Sequence, residues 1–129
     1  MLGQKRETIN SIIGEHSVFS GKFQIKGSLQ VDGKFEGVSI TVNHLHVGIK
    51  GKIKSTIKAQ TVIVEGIVIG TINAQSRVFL MPTARILGTI NTPELIIQKG
   101  VMLDGKIAIS ERPDKSSKEL INQLYNNKT

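Results

Sequence analysis

Ile67-Val68-Ile69-Gly70-Thr71-Ile72-Asn73-Ala74, followed by Arg85-Ile86-Leu87-Gly88-Thr89-Ile90-Asn91-Thr92, decides the fold. Each segment sets an apolar residue two places before a glycine and another two places after it. The same spacing runs along most of the chain. Anchors at Gly21, Gly37, Ser55, Gly70, Gly88 and Gly105 are separated by 16, 18, 15, 18 and 17 residues. Two places before them stand Phe19, Phe35, Ile53, Val68, Ile86 and Leu103. Two places after come Phe23, Ile57, Ile72, Ile90 and Ile107, with Ile40 one place late in the second copy. Four places after come Ile25, Ala59, Ala74, Thr92 and Ile109, with Val42 again one late. An apolar-x-apolar pair precedes each later anchor: Leu29 and Val31, Leu45 and Val47, Val62 and Val64, Val78 and Leu80, Leu95 and Ile97.

This pattern reads as short strands with alternating apolar residues, bent at a glycine. β-branched residues dominate the inward columns, as a pleated surface favours. The uneven period has a local cause, because the link after each apolar pair is one residue (Asp32; Glu65) or three (Gly48-Ile49-Lys50; Met81-Pro82-Thr83; Gln98-Lys99-Gly100). Turns absorb such insertions, whereas a one-residue slip inside a strand would turn its apolar face outward. A copy of about 17 residues cannot bury a core alone, but stacked copies share one continuous aliphatic column. The expectation is a single-domain, all-β solenoid, a β-helix of about six rungs over residues 11–109. At ~4.8 Å per rung it is roughly 25–30 Å long. Helical solenoids are excluded, since no copy holds a helix-length segment of period 3.6.

Composition agrees with that reading and narrows the function classes. The chain has 129 residues, 13 of them Gly, with four Phe, one Tyr, no Trp and no Cys. The core must therefore be aliphatic, and neither a disulfide scaffold nor a cysteine nucleophile is available. The start, Met1-Leu2-Gly3-Gln4-Lys5-Arg6, lacks a signal peptide's apolar region, and no segment approaches the roughly 18 apolar residues of a membrane span. A cytoplasmic protein is the expectation. Residues 1–10 and 110–129 read as tails outside the repeat, the second polar and disordered, with Leu120, Ile121 and Leu124 allowing a short helix. The net charge of +7 would suit an anionic partner, yet no aromatic residues interleave with the lysines. Nucleic acid is not expected as a partner.

No residue set reads as catalytic, and no cofactor or metal is implied. His44 and His46 share one strand face, but two imidazoles without a third ligand do not make a metal site. The glycines sit at anchors or turns, not in a phosphate-cradling loop before a helix. Lys50, Lys52 and Lys54 alternate with Ile49 and Ile53 as the solvated side of a strand, where lysine also discourages lateral pairing. Outward-facing Ile63, Ile67, Ile69, Phe79, Leu87 and Ile96 gather in the C-terminal rungs, and exposed apolar surface marks a lateral or partner contact. Leu2, Lys5 and Arg6 form a weak membrane contact that copies along a polymer would strengthen.

Three segments carry a family likeness: Ile12-Ile13-Gly14, Val31-Asp32-Gly33-Lys34-Phe35-Glu36-Gly37, and Met81-Pro82-Thr83-Ala84-Arg85-Ile86-Leu87-Gly88. They resemble the bactofilins, bacterial cytoskeletal proteins, over about residues 8–109. The last segment resembles the family's LPTA rung, with Met81 in place of leucine. The resemblance implies a right-handed triangular β-helix with flexible tails. It also implies nucleotide-independent, non-polar filaments formed end to end, a role in cell shape beside a cell-wall hydrolase, and a place at the inner membrane. The end rungs then supply the polymer interface: Phe19 and Phe23 at one end, Leu103 and Ile107 at the other. Ser55 departs from the glycine anchor and is expected to tighten one corner. Leu103, where the family often has phenylalanine, keeps an apolar contact of smaller area. The partners implied are the chain itself, inner-membrane lipids and a cell-wall hydrolase. Two rivals remain: a trimeric left-handed β-helical acyltransferase, which the broken six-residue period disfavours, and a monomeric adaptor for a wall enzyme.

Overall fold

A computed structural model describes residues 10–110 and Tyr125. Residues 10–110 are all strand and turn. Ten strands form one parallel sheet: β1 (Asn10–Ile13), β2 (Val18–Gln24), β3 (Ser28–Val31), β4 (Lys34–Thr41), β5 (His44–Val47), β6 (Lys52–Val64), β7 (Ile67–Leu80), β8 (Arg85–Thr92), β9 (Leu95–Ile97) and β10 (Met102–Ile109). Every pairing joins one coil to the next, so the chain is a β-solenoid of about six turns.

The hydrogen-bond register follows the sequence columns. Phe19, Phe35, Ile53, Val68, Ile86 and Leu103 stack in one column, and Phe23, Ile40, Ile57, Ile72, Ile90 and Ile107 in a second. Leu29, Leu45, Val62, Val78 and Leu95 make a third. Interior members are sealed from water: Phe35, Ile40, Ile57, Val68, Ile72 and Ile90 all have 0% exposure. Each such side chain contributes roughly 1.5–3 kcal/mol on leaving water, and the solenoid is held by their sum along one axis.

Each full coil has three straight runs. The first face comprises 18–20, 34–36, 52–54, 67–69, 85–87 and 102–104; the second comprises 22–24, 39–41, 56–58, 71–73, 89–91 and 106–108; the third comprises the strand runs 10–13, 28–31, 44–47, 61–64, 77–80 and 95–97. The corner between first and second faces is where backbone freedom is required. Gly88 has φ +142°, and an added Cβ would overlap the Gly70 carbonyl oxygen of the coil beneath. Gly21 has φ +120° but stands in the first coil, with nothing within 4 Å of an added Cβ.

Two sequence irregularities have structural causes. The late Ile40 reflects a bulge, in which the register shifts between Glu36 and Ser39 and Val38 is extruded to 73% exposure. Ser55 is tolerated as an anchor because its φ is not positive; its side chain is buried and its Oγ donates to the Thr56 carbonyl at 3.3 Å. The corner between third and first faces comes in two lengths. Residues 14–17, 48–51, 81–84 and 98–101 make long turns, each closed by a backbone bond from its fourth residue to its first, while 32–33 and 65–66 are short.

Candidate assembly surfaces

Interior coils hydrogen-bond on both sides, but the terminal coils do not. Among the described residues β2 pairs only with β4, β1 only with β3, β10 only with β8, and β9 only with β7. Among the described residues, each end therefore presents backbone N–H and C=O groups without a ladder partner along its outer edge. The apolar columns are open there as well. Ile107 is 42% exposed, while Ile90, one coil inward in the same column, is 0%. Ile109 is 52% exposed and Leu103 half-buried. At the opposite end Phe19 and Phe23 are half-buried against the core. Phe19 stacks on Phe35 with centroids 5.2 Å apart and meets Phe23 edge-on at 5.4 Å. Phe19, Phe23, Leu103 and Ile107 all occupy terminal coils.

The outward apolar residues divide between two faces. Ile67, Ile69 and Leu87 lie on the first face, in register with Arg85 and Met102; Ile63, Phe79 and Ile96 lie on the third, in one column. Alternation along the sequence distinguishes inward from outward but does not say on which side of a corner a residue falls. The lysines join the first set: Lys34 and Lys52 stack in the column that continues to Ile67 and Arg85.

The second face is polar. Thr56, Thr71 and Thr89 stack in one outward column, and in the neighbouring one the Asn91 side chain donates to Asn73 Oδ1 at 2.8 Å. A shallow depression of about 570 Å³ at the end of this face is lined by five carboxamides among small and apolar residues, with Lys58 its one charged residue, and brings no histidine or carboxylate together.

The histidine pair acquires a partner that sequence neighbours did not offer. His46 Nε2 lies 2.7 Å from Glu65 Oε1, because the short corner after Val64 sits one coil above His46, while His44 stays exposed. No group of three metal-binding side chains forms among the described residues. A second polar contact crosses two coils. Lys50 donates to Glu15 at 2.5 Å, reaching over the short 32–33 corner from one long corner to another. The hydrogen bond and charge of Lys50 hold the Glu15 carboxyl below its ordinary range, and Glu15 raises Lys50 by the same contact. Leu2, Lys5 and Arg6, with the expected tail helix around Leu120, Ile121 and Leu124, lie outside the described residues. No helix among the described residues is long and apolar enough to cross a membrane.

The family model for bactofilin, described as polymer-forming cytoskeletal, matches residues 11–108. Bactofilin BacP of Myxococcus xanthus (strain DK1622) is 30% identical over 102 residues, covering 79% of this chain and 42% of that protein. The chain thus spans about two fifths of the length of that curated relative. No solved structure matches it significantly.

Proposed function

Because the chain belongs to the bactofilin family of polymer-forming cytoskeletal proteins, we propose that it assembles end to end into non-polar filaments without nucleotide. The observation that carries this reading is the Ile107 column. Four coils seal the same position completely, and the last leaves it 42% exposed for want of one more coil. A second copy stacked on β9 and β10 supplies that coil. It extends the hydrogen-bond ladder and removes apolar surface from water, at about 1 kcal/mol for each half-exposed aliphatic side chain. Leu103 and Ile107 form one joint, and Phe19 and Phe23 the other. Like ends meet, so each joint is self-complementary about a two-fold axis.

The chain works as a structural element and not as an enzyme. The glycines are spent on corners, and the His46–Glu65 contact ties two coils together without a nucleophile beside it. Leu2, Lys5 and Arg6 attach the polymer to the inner membrane on its cytoplasmic side, where a cell-wall hydrolase or another cell-shape protein is its client. Electron microscopy and sedimentation of the purified full chain test the reading. Filaments should form alike with ATP, GTP, or a chelator of magnesium. A nucleotide requirement, or discrete trimers, would refute it. Deleting residues 1–7 should leave filaments intact and weaken their co-sedimentation with anionic liposomes; unchanged binding would show that these residues are a passive tail.

A further inference from the structure

The carboxamide-lined depression sits at the corner between the second and third faces and runs along the solenoid axis. Its lining reaches from Thr41 in the second coil to Ser110 at the end of the sixth. The inward column at this corner explains the hollow. Ile25, Val42, Thr92 and Ile109 fill that column in the other coils, but the third and fourth place the buried Ala59 and Ala74 there. The groups around the hollow are short of partners. Gln60 and Gln75 are exposed and make no side-chain hydrogen bond among the described residues. Lys58 is exposed too and has no ion-pair partner among them.

The chain leaves the solenoid at the mouth of this depression. Ser110 lines it, and the Ser110 backbone N–H donates to the Thr92 carbonyl at 2.9 Å, which fixes where residue 111 starts. Residues 111–118 read Glu-Arg-Pro-Asp-Lys-Ser-Ser-Lys. We propose that residues 111–117 lie back along the depression as an extended strap, with Asp114 against Lys58.

Backbone, charge and length each select this occupant. Pro113 fixes its own φ and steers Arg112 away from the helical region, so the segment starts extended. A polyproline-type chain has three residues per turn, which puts Glu111, Asp114 and Ser117 on one side and Arg112, Lys115 and Lys118 on another. One side carries two acids and a hydroxyl; the other carries three bases. Turned inward, the acidic side meets Lys58 and the amide donors of Gln60 and Gln75, whereas the basic side would set cations on Lys58. From Ser110 to the coil of Lys58 is three coils, ~14 Å, and the four residues to Asp114 cover ~12 Å, a difference within reach of a lysine side chain. Ser117 then arrives level with Thr41 and Asn43, where the depression ends.

Such a strap needs little affinity. Its first residue is already in place, so docking is intramolecular and the effective concentration is high. Proline restricts the free segment and lowers the cost of ordering it. An exposed ion pair is individually weak, so Lys58 and Asp114 set the register more than the strength. A peptide from another molecule starts without these advantages.

Hydrogen–deuterium exchange of the full chain, read by mass spectrometry on peptides covering residues 111–117, tests the strap. Wild-type amides there should exchange at least about tenfold more slowly than the unstructured rate of the same sequence. Lys58→Asp and Asp114→Lys should each return them to that rate with β-sheet circular dichroism unchanged, and the double variant, K58D with D114K, should restore the slowing. Unstructured exchange in the wild type would overturn the proposal and leave the depression to a peptide of another molecule. Slowing that survives both single variants, or that the double variant fails to restore, would overturn it as well. Zero-length carbodiimide coupling of mixed nitrogen-15-labelled and unlabelled chains should join Lys58 to Asp114 within one chain. Links of mixed isotope would assign the depression to a neighbouring copy's segment instead. Both readouts are independent of whether filaments form.

Discussion

The two ends of the solenoid are built from the same columns and yet differ in kind. The N-terminal coil closes with rings, Phe19 lying flat on Phe35 and edge-on to Phe23, above a corner where the register slips and Val38 is pushed outward. The C-terminal coil closes with Leu103, Ile107 and Ile109 on a strand that pairs with β8 over eight successive residues without a shift. Its corner glycine, Gly105, keeps the positive φ of Gly70 and Gly88. One end is thus an aromatic seal on an irregular rung, and the other is an uninterrupted ladder left open. The C-terminal end is the better template for another coil, and the N-terminal end is the better terminus for the fold.

The largest test of this contrast compares two glycines in the same backbone region. Gly88→Ala drives a Cβ into the Gly70 carbonyl oxygen and should abolish soluble protein, an effect above about 4 kcal/mol. Gly21→Ala meets no atom within 4 Å and carries only the strain of its φ, about 1–2 kcal/mol by urea denaturation. Equal losses in the two variants would mean that stacking against the coil beneath does not decide the outcome. If the N-terminal joint stacks coil on coil, Gly21→Ala should also shorten filaments.

Next in size is Leu103→Arg. Two arginines brought together across a desolvated two-fold seam should weaken association by several kcal/mol, on the order of 3–5. Analytical ultracentrifugation should find dimers joined through the N-terminal ends, with β-sheet circular dichroism unchanged. Long filaments of this variant would move the polymer contact away from the C-terminal coil.

Smaller and opposite in emphasis is Phe19→Ala, which removes a half-buried ring and its stacking on Phe35. It should destabilise the fold by about 2 kcal/mol, whereas Leu103→Ala, at the end without an aromatic pair, should cost about 1 kcal/mol. If the order is reversed, the aromatic end is not the sealed one.

The smallest effect belongs to Lys50→Ala. Glu15, held below its ordinary carboxyl range in the fold, adds stability above its unfolded pKa and loses it as pH falls through the lowered folded value. Lys50, raised in the fold, adds stability below its unfolded pKa and loses it as pH rises through the raised folded value. The pair therefore acts between the carboxylate and amine ranges. Both groups are exposed, and the expected result is only that the Glu15 titration followed by NMR moves up toward its ordinary 4.5.

The chain spelled out its columns well. Phe35, Ile53, Val68 and Ile86 pair as their spacing requires, since parallel coils with a period of two leave one register that buries them all. The late Ile40 is visible in the spacing, but the spacing assigns insertions to turns, and the structure places this one inside β4 as a bulge that expels Val38. Contacts across corners were not legible. Glu65 reaches His46 from 19 residues away, and Lys50 reaches Glu15 across 35, in each case because of how long and short turns nest. For the same reason the apolar patch read as one cluster, when a corner sets Ile63 and Phe79 on a different face from Ile67 and Leu87.

The ladder bonds run along the solenoid axis, and that direction decides how a filament bears tension. Inside a subunit the chain winds through every coil, so a pull on the axis is shared between hydrogen bonds, the interlocked core and covalent backbone. In the end-to-end filament proposed above, nothing covalent would cross a joint, and the contact would be one layer deep. Stretched filaments should therefore part between subunits and leave the pieces folded, with free ends of the same kind as before. Such breaks can reseal without refolding, and force spectroscopy should record recoverable ruptures at the joints before any lengthening from unravelled coils.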